Sequence, residues 1–264
     1  MTLKRFVVYF LLLSPLTLLP SAAKADTLDA VQARFGIISG DVGLLAQGAK
    51  EWIEPHEGLP IEPGDQIRTG EDGRVEILLS ENAVWLLEPQ GEFSAEHMDT
   101  NSGHFNLVSG SLIGKVDSGR TAGTVQHWEF NTPAALAVVH GTEFALQCSK
   151  EEGSHLGVFE GDVGLEPAET AEGLQPPLEV PTGQEGIVKR GKPVQLVKKY
   201  TAPVQTLLNA MPAFRRRARQ IQNTWSPFTP ETRLEARKKF VAPPPKPVHR
   251  PRPTKRKPKI PVEN

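Results

Sequence analysis

The side chains that could act in acid–base, nucleophilic or metal chemistry show no spacing typical of a catalytic site. The chain has no Gly-x-Ser-x-Gly elbow, no phosphate-binding loop and no zinc-protease helix motif. His97 and His104 flank a stretch that could hold a metal in a loop, but they lack the spacing of two ligands on one element. The sequence therefore predicts no catalytic residue, no metal and no cofactor. The other histidines before the C-terminal tail are scattered: His56, His127, His140 and His155.

The only cysteine, Cys148, cannot form a disulfide within the chain. It ends an alternating stretch, Phe-Ala-Leu-Gln-Cys at residues 144–148. A small, buried apolar residue is therefore the favoured interpretation. A free reactive thiol or an intermolecular bridge is the alternative in an oxidising compartment.

The N-terminal residues have the three-part layout of a secretory signal peptide. Two basic residues at positions 4 and 5 precede an apolar stretch at 6–19, and Ala-Lys-Ala at 23–25 is a small-x-small cleavage pattern. A transmembrane anchor needs about 20 uninterrupted apolar residues, whereas Pro15 and Pro20 break this stretch. We expect cleavage after Ala25 and a periplasmic or secreted protein. No cysteine follows the apolar stretch, so no lipid attachment is predicted.

Charge divides the chain into two parts, although the formal net charge of the whole chain is only −1. Residues 26–197 contain 28 acidic and 10 basic side chains, whereas residues 198–264 contain 3 acidic and 17 basic ones. This asymmetry indicates an acidic body, residues 26–197, followed by a basic arm, residues 198–264.

The acidic body has the pattern of a β protein. From Phe35 onward, short stretches of alternating apolar and polar residues are separated by Gly, Pro, Asn and Asp. Ser-Gly-Asp at 39–41 is typical of a hairpin turn, and Ser-Gly-Ser at 109–111 of a break between strands. The sequence predicts an all-β body of short antiparallel strands, arranged as a sandwich or a twisted solenoid.

The pentapeptide Gly-Asp-Val-Gly-Leu occurs twice in this body, at residues 40–44 and 161–165. Because Gly-Asp turns are common in β proteins, the match can be accidental. A separation of about 120 residues is also far from the period of a solenoid. We interpret the two copies as turns of equivalent chemistry within one body.

Several motifs of the acidic body follow one another in a characteristic order. Ile-Arg-Thr-Gly at 67–70 comes first, then Thr-Pro at 132–133, and then Gly-Thr-Glu-Phe at 141–144. In this order, over roughly residues 35–190, the chain resembles the FecR domain, an all-β periplasmic signalling and binding module. The positions that carry the resemblance are Trp52, Gly64, Asp65, Arg68, Thr69, Gly70, Thr132, Pro133, Gly141, Thr142, Glu143, Phe144 and Gly161.

We expect these positions to serve the scaffold more than a ligand, because motif residues at turns usually stabilise the backbone. The glycines suit a positive φ or a close approach of two chains. Phe144 is expected to anchor the core, and Arg68 to brace the turn at Thr69 through a charge-assisted hydrogen bond. Trp52 can face either the core or a ligand.

The chain departs from the family pattern in two respects. His140 stands where the family commonly has an arginine before Gly-Thr. Family members that regulate gene expression also carry a cytoplasmic anti-sigma segment and a transmembrane helix before this domain. A cleaved signal peptide would not supply that membrane-crossing half.

The basic arm begins with an amphipathic pattern. Apolar residues recur at three- and four-residue steps from Val204 to Trp225, which predicts a helix in the segment 198–241. Pro212 predicts a kink or two shorter helices. Thr229, followed by Pro-Glu, predicts the cap of a further helix that ends near Phe240. The basic side chains of the first helix are Arg215, Arg216, Arg217 and Arg219.

The end of the basic arm, residues 242–264, is rich in proline, lysine and arginine and is predicted to be extended and disordered. Its first possible role is to screen the protein's own acidic body. A second, which we favour, is to anchor the protein to an anionic envelope polymer, phospholipid headgroups or an acidic protein. The third, nucleic-acid binding, is disfavoured by secretion and by the lack of interleaved aromatic residues.

The favoured function is therefore an exported, non-enzymatic binding or envelope protein whose β domain recognises a protein or glycan partner. One alternative is a periplasmic signal-transduction component of a FecR-type system that works through separate proteins. The other is a carbohydrate-active enzyme with two carboxylates that meet only in space, which turnover of envelope glycans would reveal.

Overall fold

The computed structural model describes residues 32–79, 82–98, 102–117, 127–168 and 177–240. The predicted signal peptide and the predicted disordered tail lie outside these residues. Within them, no helix is both long enough and apolar enough to cross a membrane.

Strands make up the body, and two helices follow them. The strands are β1 (Ala33–Ser39), β2 (Val42–Leu45), β3 (Pro60–Ile61), β4 (Gln66–Thr69), β5 (Arg74–Leu79), β6 (Ala83–Leu87), β7 (Glu92–Met98), β8 (Ser102–Val116), β9 (His127–Asn131), β10 (Ala135–Val139), β11 (Glu143–Ser149), β12 (Gly153–Glu160), β13 (Asp162–Pro167), β14 (Leu178–Pro181), β15 (Glu185–Val188) and β16 (Gln195–Val197). The helices are α1 (Ala202–Thr224) and α2 (Pro230–Phe240). The predicted all-β body with a helical extension is confirmed.

The strands form two sheets that share β8. The helix-side sheet has the order β3-β1-β5-β6-β8-β11-β12-β15-β16, and the far sheet has the order β2-β4-β7-β8-β9-β10-β13-β14. Neighbouring strands are antiparallel except β8 and β9, which are parallel. The predicted body of short, mainly antiparallel strands is therefore confirmed.

Strand β8 links the two sheets because it bends at Gly110. Its first half pairs with β7 and β9 in the far sheet, and its second half pairs with β6 and β11 in the helix-side sheet. Gly110 has a φ of 94°. The predicted break at 109–111 is therefore a bend inside one strand.

The repeated pentapeptide marks two further crossings between the sheets. Gly40, with a φ of 66°, lies between β1 of the helix-side sheet and β2 of the far sheet. Gly161, with a φ of 81°, lies between β12 and β13, which also belong to different sheets. The predicted hairpin at 39–41 is wrong, because β1 and β2 have different partner strands. The interpretation as equivalent turns fits this geometry.

Aromatic side chains fill the space between the sheets. Trp85 is fully buried, and its ring centroid lies 5.1 Å from that of Phe130 and 5.9 Å from those of Trp128 and Phe144. These rings meet edge to face, a geometry that adds about 0.5–1.5 kcal/mol per pair beyond the burial of apolar area. Phe105 packs against the same cluster. The core therefore joins both sheets through a few large rings.

Helix α1 forms a third layer on the outer face of the helix-side sheet. Its buried side chains recur at helical spacing and pack against outward-facing residues of the sheet, including Val84, Ile113 and Ala145. The helix continues through Pro212, so the predicted division into two helices does not occur. The buried residues of α1 are Val204, Leu207, Met211, Phe214, Ala218 and Ile221.

Helix α2 begins where the sequence predicts. The Thr229 hydroxyl accepts a hydrogen bond from the Thr232 amide at 3.2 Å, as expected of an N-cap residue. In contrast to α1, α2 has no buried residue. It is therefore held by contacts at its surface.

We expect Gly110→Ala to destabilise the protein more than Gly183→Ala. Both glycines have positive φ, 94° and 84°, which costs an alanine about 1–2 kcal/mol. A Cβ at Gly110 would also lie 2.6 Å from the Gly91 Cα, whereas nothing lies within 4 Å at Gly183. This clash adds roughly 1–3 kcal/mol. Urea unfolding of both variants measures the difference, and equal losses would show that the bend in β8 can relax.

Cys148 should be inert towards thiol reagents in the native protein. It is buried, its Sγ donates a hydrogen bond to the Leu107 carbonyl at 3.1 Å, and burial raises its pKa to about 12. Ellman's reagent should therefore react only after unfolding in guanidinium. Rapid reaction with the folded protein would contradict the buried position.

Candidate functional site

Buried carboxylates lie on the outer face of the helix-side sheet. Glu76, Glu143 and Glu185 are 7%, 3% and 0% exposed. Strand alternation directs them away from the core, because their neighbours in β5, β11 and β15 point inward. A buried carboxylate is costly unless it is paired and hydrogen-bonded, so this face requires partners.

Glu143 has two cationic partners. It accepts a hydrogen bond from Arg215 Nε at 2.6 Å and another from Lys115 Nζ at 3.0 Å. Burial alone raises the pKa of Glu143, but the hydrogen bonds from Arg215 and Lys115 outweigh burial and hold it below its ordinary value. Glu143 therefore stays ionised and joins α1 to β11 and β8.

Glu76 and Glu185 fix other parts of α1. Both oxygens of Glu76 accept from Arg217 Nε, at 3.0 and 3.1 Å. Glu185 accepts from the amide and the hydroxyl of Thr201, at 2.6 and 2.7 Å, and also contacts His155 Nδ1 at 2.7 Å. Because Thr201 is the N-cap residue of α1, the Glu185 carboxylate also lies at the positive end of the helix dipole.

Helix α2 contacts a separate acidic site at the edge of the helix-side sheet, which we call the edge site (His56, Pro60, Glu62 and Asp65). Arg233 donates two hydrogen bonds to Glu62, both of 2.8 Å. Arg237 donates to Asp65 at 2.5 Å and to the Pro60 carbonyl at 2.8 Å. The His56 and Phe240 rings lie 3.9 Å apart.

Comparison with known proteins identifies the central part of this body. Residues 65–164 match the family described as FecR protein. The match covers 100 of the 264 residues, and we refer to this part as the FecR domain. The matched residues run from the start of β4 into β13, and they include Asp65, Glu76 and Glu143. No curated protein matches the chain.

Among solved structures, two crystal structures of a "putative anti-sigma factor" from Parabacteroides distasonis ATCC 8503, at 1.65 and 2.50 Å resolution, are similar to this chain. Their sequence identities are 14% and 13%, and both TM-scores are 0.44. The alignments cover 54% and 55% of this chain, and 64% and 63% of the neighbours. The chain thus spans less than two thirds of either neighbour.

The basic arm turns its arginines towards the FecR domain. Arg215 and Arg217 of α1 pair with Glu143 and Glu76. Arg216 and Arg219 are exposed. The helical part of the arm therefore divides its arginines between the acidic body and the solvent.

Other predicted motif residues support turns in and around the FecR domain. The Thr69 hydroxyl donates to the Glu88 carbonyl at 2.7 Å and accepts from the Gly91 amide at 2.8 Å. The Thr132 hydroxyl accepts from the Ala135 amide at 2.8 Å, in the turn that contains Pro133. Phe144 is fully buried in the core. These contacts serve the scaffold.

The glycines of the motif lie at close approaches. The Gly64 amide donates to the Ala95 carbonyl at 2.6 Å, and the Gly70 amide to the Asp41 carbonyl at 2.8 Å. Gly141 has a φ of 61°. A Cβ at Gly161 would lie 2.8 Å from a methyl group of the buried Thr142. Gly141 and Gly161 therefore belong to neighbouring crossings between the sheets.

Trp52 and Arg68 form a pair on the far sheet. The Arg68 guanidinium carbon lies 4.3 Å from the centre of the half-buried Trp52 ring, a cation–π geometry. Arg68 therefore covers the indole of Trp52. Its predicted hydrogen bond at the turn of Thr69 stays a prediction. Trp52 does not belong to the central aromatic cluster.

Four histidines lie close together on the far sheet, and the sequence suggested a pairing only for His97 and His104. Glu129 contacts His104 Nδ1 at 3.1 Å and His127 Nε2 at 2.6 Å. His97 lies beside His104, and His140 beside His127, with ring centroids 5.9 and 4.7 Å apart. They come from β7, β8, β9 and the end of β10, so no local spacing reveals them. Among the described residues no cluster of His, Cys, Asp or Glu is arranged to hold a metal ion.

Glu143→Gln should weaken the protein at neutral pH and reduce its sensitivity to acid. Because the pKa of Glu143 lies below the ordinary value of 4.5, its ionised form adds stability above that pH. This contribution is lost as the pH falls through the lowered folded value. Removing one partner of a buried ion pair costs about 3 kcal/mol or more.

Urea unfolding between about pH 3 and pH 7 tests this expectation, since carboxylates titrate in that window. The exposed Glu152 provides the matched control, Glu152→Gln. The wild type and the control should lose more stability than Glu143→Gln as the pH falls. Equal pH dependence in all three proteins would contradict a stabilising role of ionised Glu143.

Proposed function

We propose that this chain is a signal-transduction component of the FecR type that acts in the bacterial envelope. Its FecR domain would recognise a protein partner and catalyse no reaction. The observation that carries this proposal is that the outer face of the domain already binds polypeptide, because Glu76 and Glu143 hold the arginines of α1. A surface whose carboxylates bind the arginines of a helix is suited to protein recognition.

The state of the buried carboxylates supports a non-enzymatic role. Among the described residues, Glu76, Glu88 and Glu143 each pair with an arginine, and Asp65 pairs with Arg237. Glu185 pairs with His155 and the cap of α1. Carboxylates committed to fixed partners are poorly placed to donate or accept a proton from a substrate.

An envelope location is supported by the signal-peptide layout at residues 1–25 and by the FecR domain at 65–164. We further propose that the protein stays in the periplasm and is not secreted, because a signalling partner in either membrane is accessible from the periplasm.

A second candidate function is envelope organisation through the basic arm. It is favoured by the residues 242–264, which contain seven basic side chains and one acidic one. In the described part of the arm, the side chains of Arg216, Arg219, Lys238 and Lys239 are exposed. An anionic polymer or headgroup would bind it through screened electrostatic contacts.

Transcript profiles of a deletion strain test the two functions against each other. The full-length gene should restore a small, specific set of transcripts if the protein transmits a signal. A matched variant, in which glutamine replaces the seven basic residues of 242–264, should restore the same set. If neither gene restores any transcript, the signalling proposal fails. If only the variant fails, and envelope integrity fails with it, the anchoring function is correct.

A further inference from the structure

Helix α2 is attached to the body by polar and aromatic contacts alone. None of its 11 residues is buried. Its attachments are the paired hydrogen bonds of Arg233 to Glu62, the hydrogen bonds of Arg237 to Asp65 and Pro60, and the ring contact of Phe240 with His56. Helices this short are marginal in water on their own, so these contacts are what hold α2 in place.

The edge site does not depend on α2 for its shape. Asp65 is fully buried, and it accepts hydrogen bonds from the Gln47 amide at 3.0 Å and the Glu62 amide at 2.9 Å. Both donors belong to the body. Burial raises the pKa of Asp65, and these amides and Arg237 oppose the rise. The carboxylate is therefore preorganised to receive a cation from outside the sheet.

The linker between the helices is clamped in a similar way. The Arg34 guanidinium carbon lies 4.1 Å from the ring centres of both Trp225 and Phe228. Gln32 exchanges two hydrogen bonds with the backbone of Phe228, donating one to its carbonyl at 3.0 Å and accepting one from its amide. Residues 225–240 thus lie along the N-terminal edge of the sheet as one continuous segment.

This segment has the properties of a ligand tethered to its own binding site. Arg233 and Arg237 are four residues apart, so both reach one face of the helix. Glu62 receives Arg233 through two parallel N–H···O bonds, a geometry that a lysine cannot reproduce. Tethering gives α2 an effective concentration in the millimolar range, and a tighter partner can still displace it.

We propose that the edge site binds an arginine-bearing helix of a partner protein, and that α2 occupies this site in cis until the partner displaces it. The partner helix carries two arginines one turn apart, followed by an aromatic residue that reaches His56. This inference deepens the proposed function, because it names the surface and the chemistry of the signalling partner. It adds that occupation of the site by the partner releases α2, residues 230–240, from the body.

The first test measures hydrogen exchange of α2 in the mature full-length chain. Arg233→Glu with Arg237→Glu should remove the protection of residues 230–240. Arg216→Glu with Arg219→Glu changes the net charge equally at exposed positions of α1, away from the edge site, and it should leave the protection intact. Protection that survives the arginine substitutions would overturn the proposal.

The second test measures binding in trans with a synthetic peptide of residues 225–240. The peptide should bind the Arg233→Glu, Arg237→Glu chain about tenfold or more tightly than the wild type, whose site is occupied. A peptide with both arginines replaced by glutamate should not bind. Circular dichroism of the variant checks that the sandwich is folded. If that variant is unfolded, Glu62→Gln is tested instead. This substitution should abolish the protection of α2 from hydrogen exchange.

Failure of the wild-type peptide to bind the folded open variant would overturn the proposal. So would a wild-type dimer whose α2 protection rises with protein concentration, since a second copy would then be the occupant. Neither result depends on transcript profiles. The failure of this inference and the failure of the signalling function are therefore distinguishable.

Discussion

The pleat of the helix-side sheet imposes the constraint on which the other features depend. Alternation directs Glu76, Glu143 and Glu185 outward while their neighbours fill the core. A helix can cover such a face only if it supplies cations, because an unpaired buried charge costs several kcal/mol. Helix α1 meets this requirement with Arg215 and Arg217, placed among the apolar residues that pack on the sheet. The acidic body and helix α1 are therefore parts of one folding unit.

These ion pairs between the helices and the body explain much of the charge asymmetry of the sequence. Residues 198–240 carry ten basic and two acidic side chains. Four of the basic ones pair with carboxylates of the same protein: Arg215, Arg217, Arg233 and Arg237. Only part of the positive charge remains for an external partner, at positions such as Arg216 and Arg219 and in the residues beyond 240. A composition that suggests attraction to anionic surfaces thus reflects, in large part, attraction between the two halves of one chain.

Local patterns predicted much of the fold, and long-range contacts account for what they missed. The alternation of residues in β11 predicted that Phe144 lies in the core and that the next residue lies on the other face of the sheet. Thr229 predicted the start of α2. The glycine at position 40 was assigned to a hairpin, because a positive φ suits a hairpin and a crossing between sheets equally well. The pair of Arg237 and Asp65 spans 172 residues of chain, so no local spacing could reveal it. The same holds for the histidines around Glu129.

The two helices are held on the body by different forces, so that α1 stays packed on the sheet whereas α2 can be displaced. Helix α1 buries apolar side chains such as Met211 and Ile221, and salt does not screen that contribution. Helix α2 has no buried residue and relies on the pairs of Arg233 with Glu62 and Arg237 with Asp65 and on the contact of Phe240 with His56. A competitor at the edge site can therefore remove α2 while α1 and the core remain intact. Such a division lets a recognition domain change the surface it presents without unfolding.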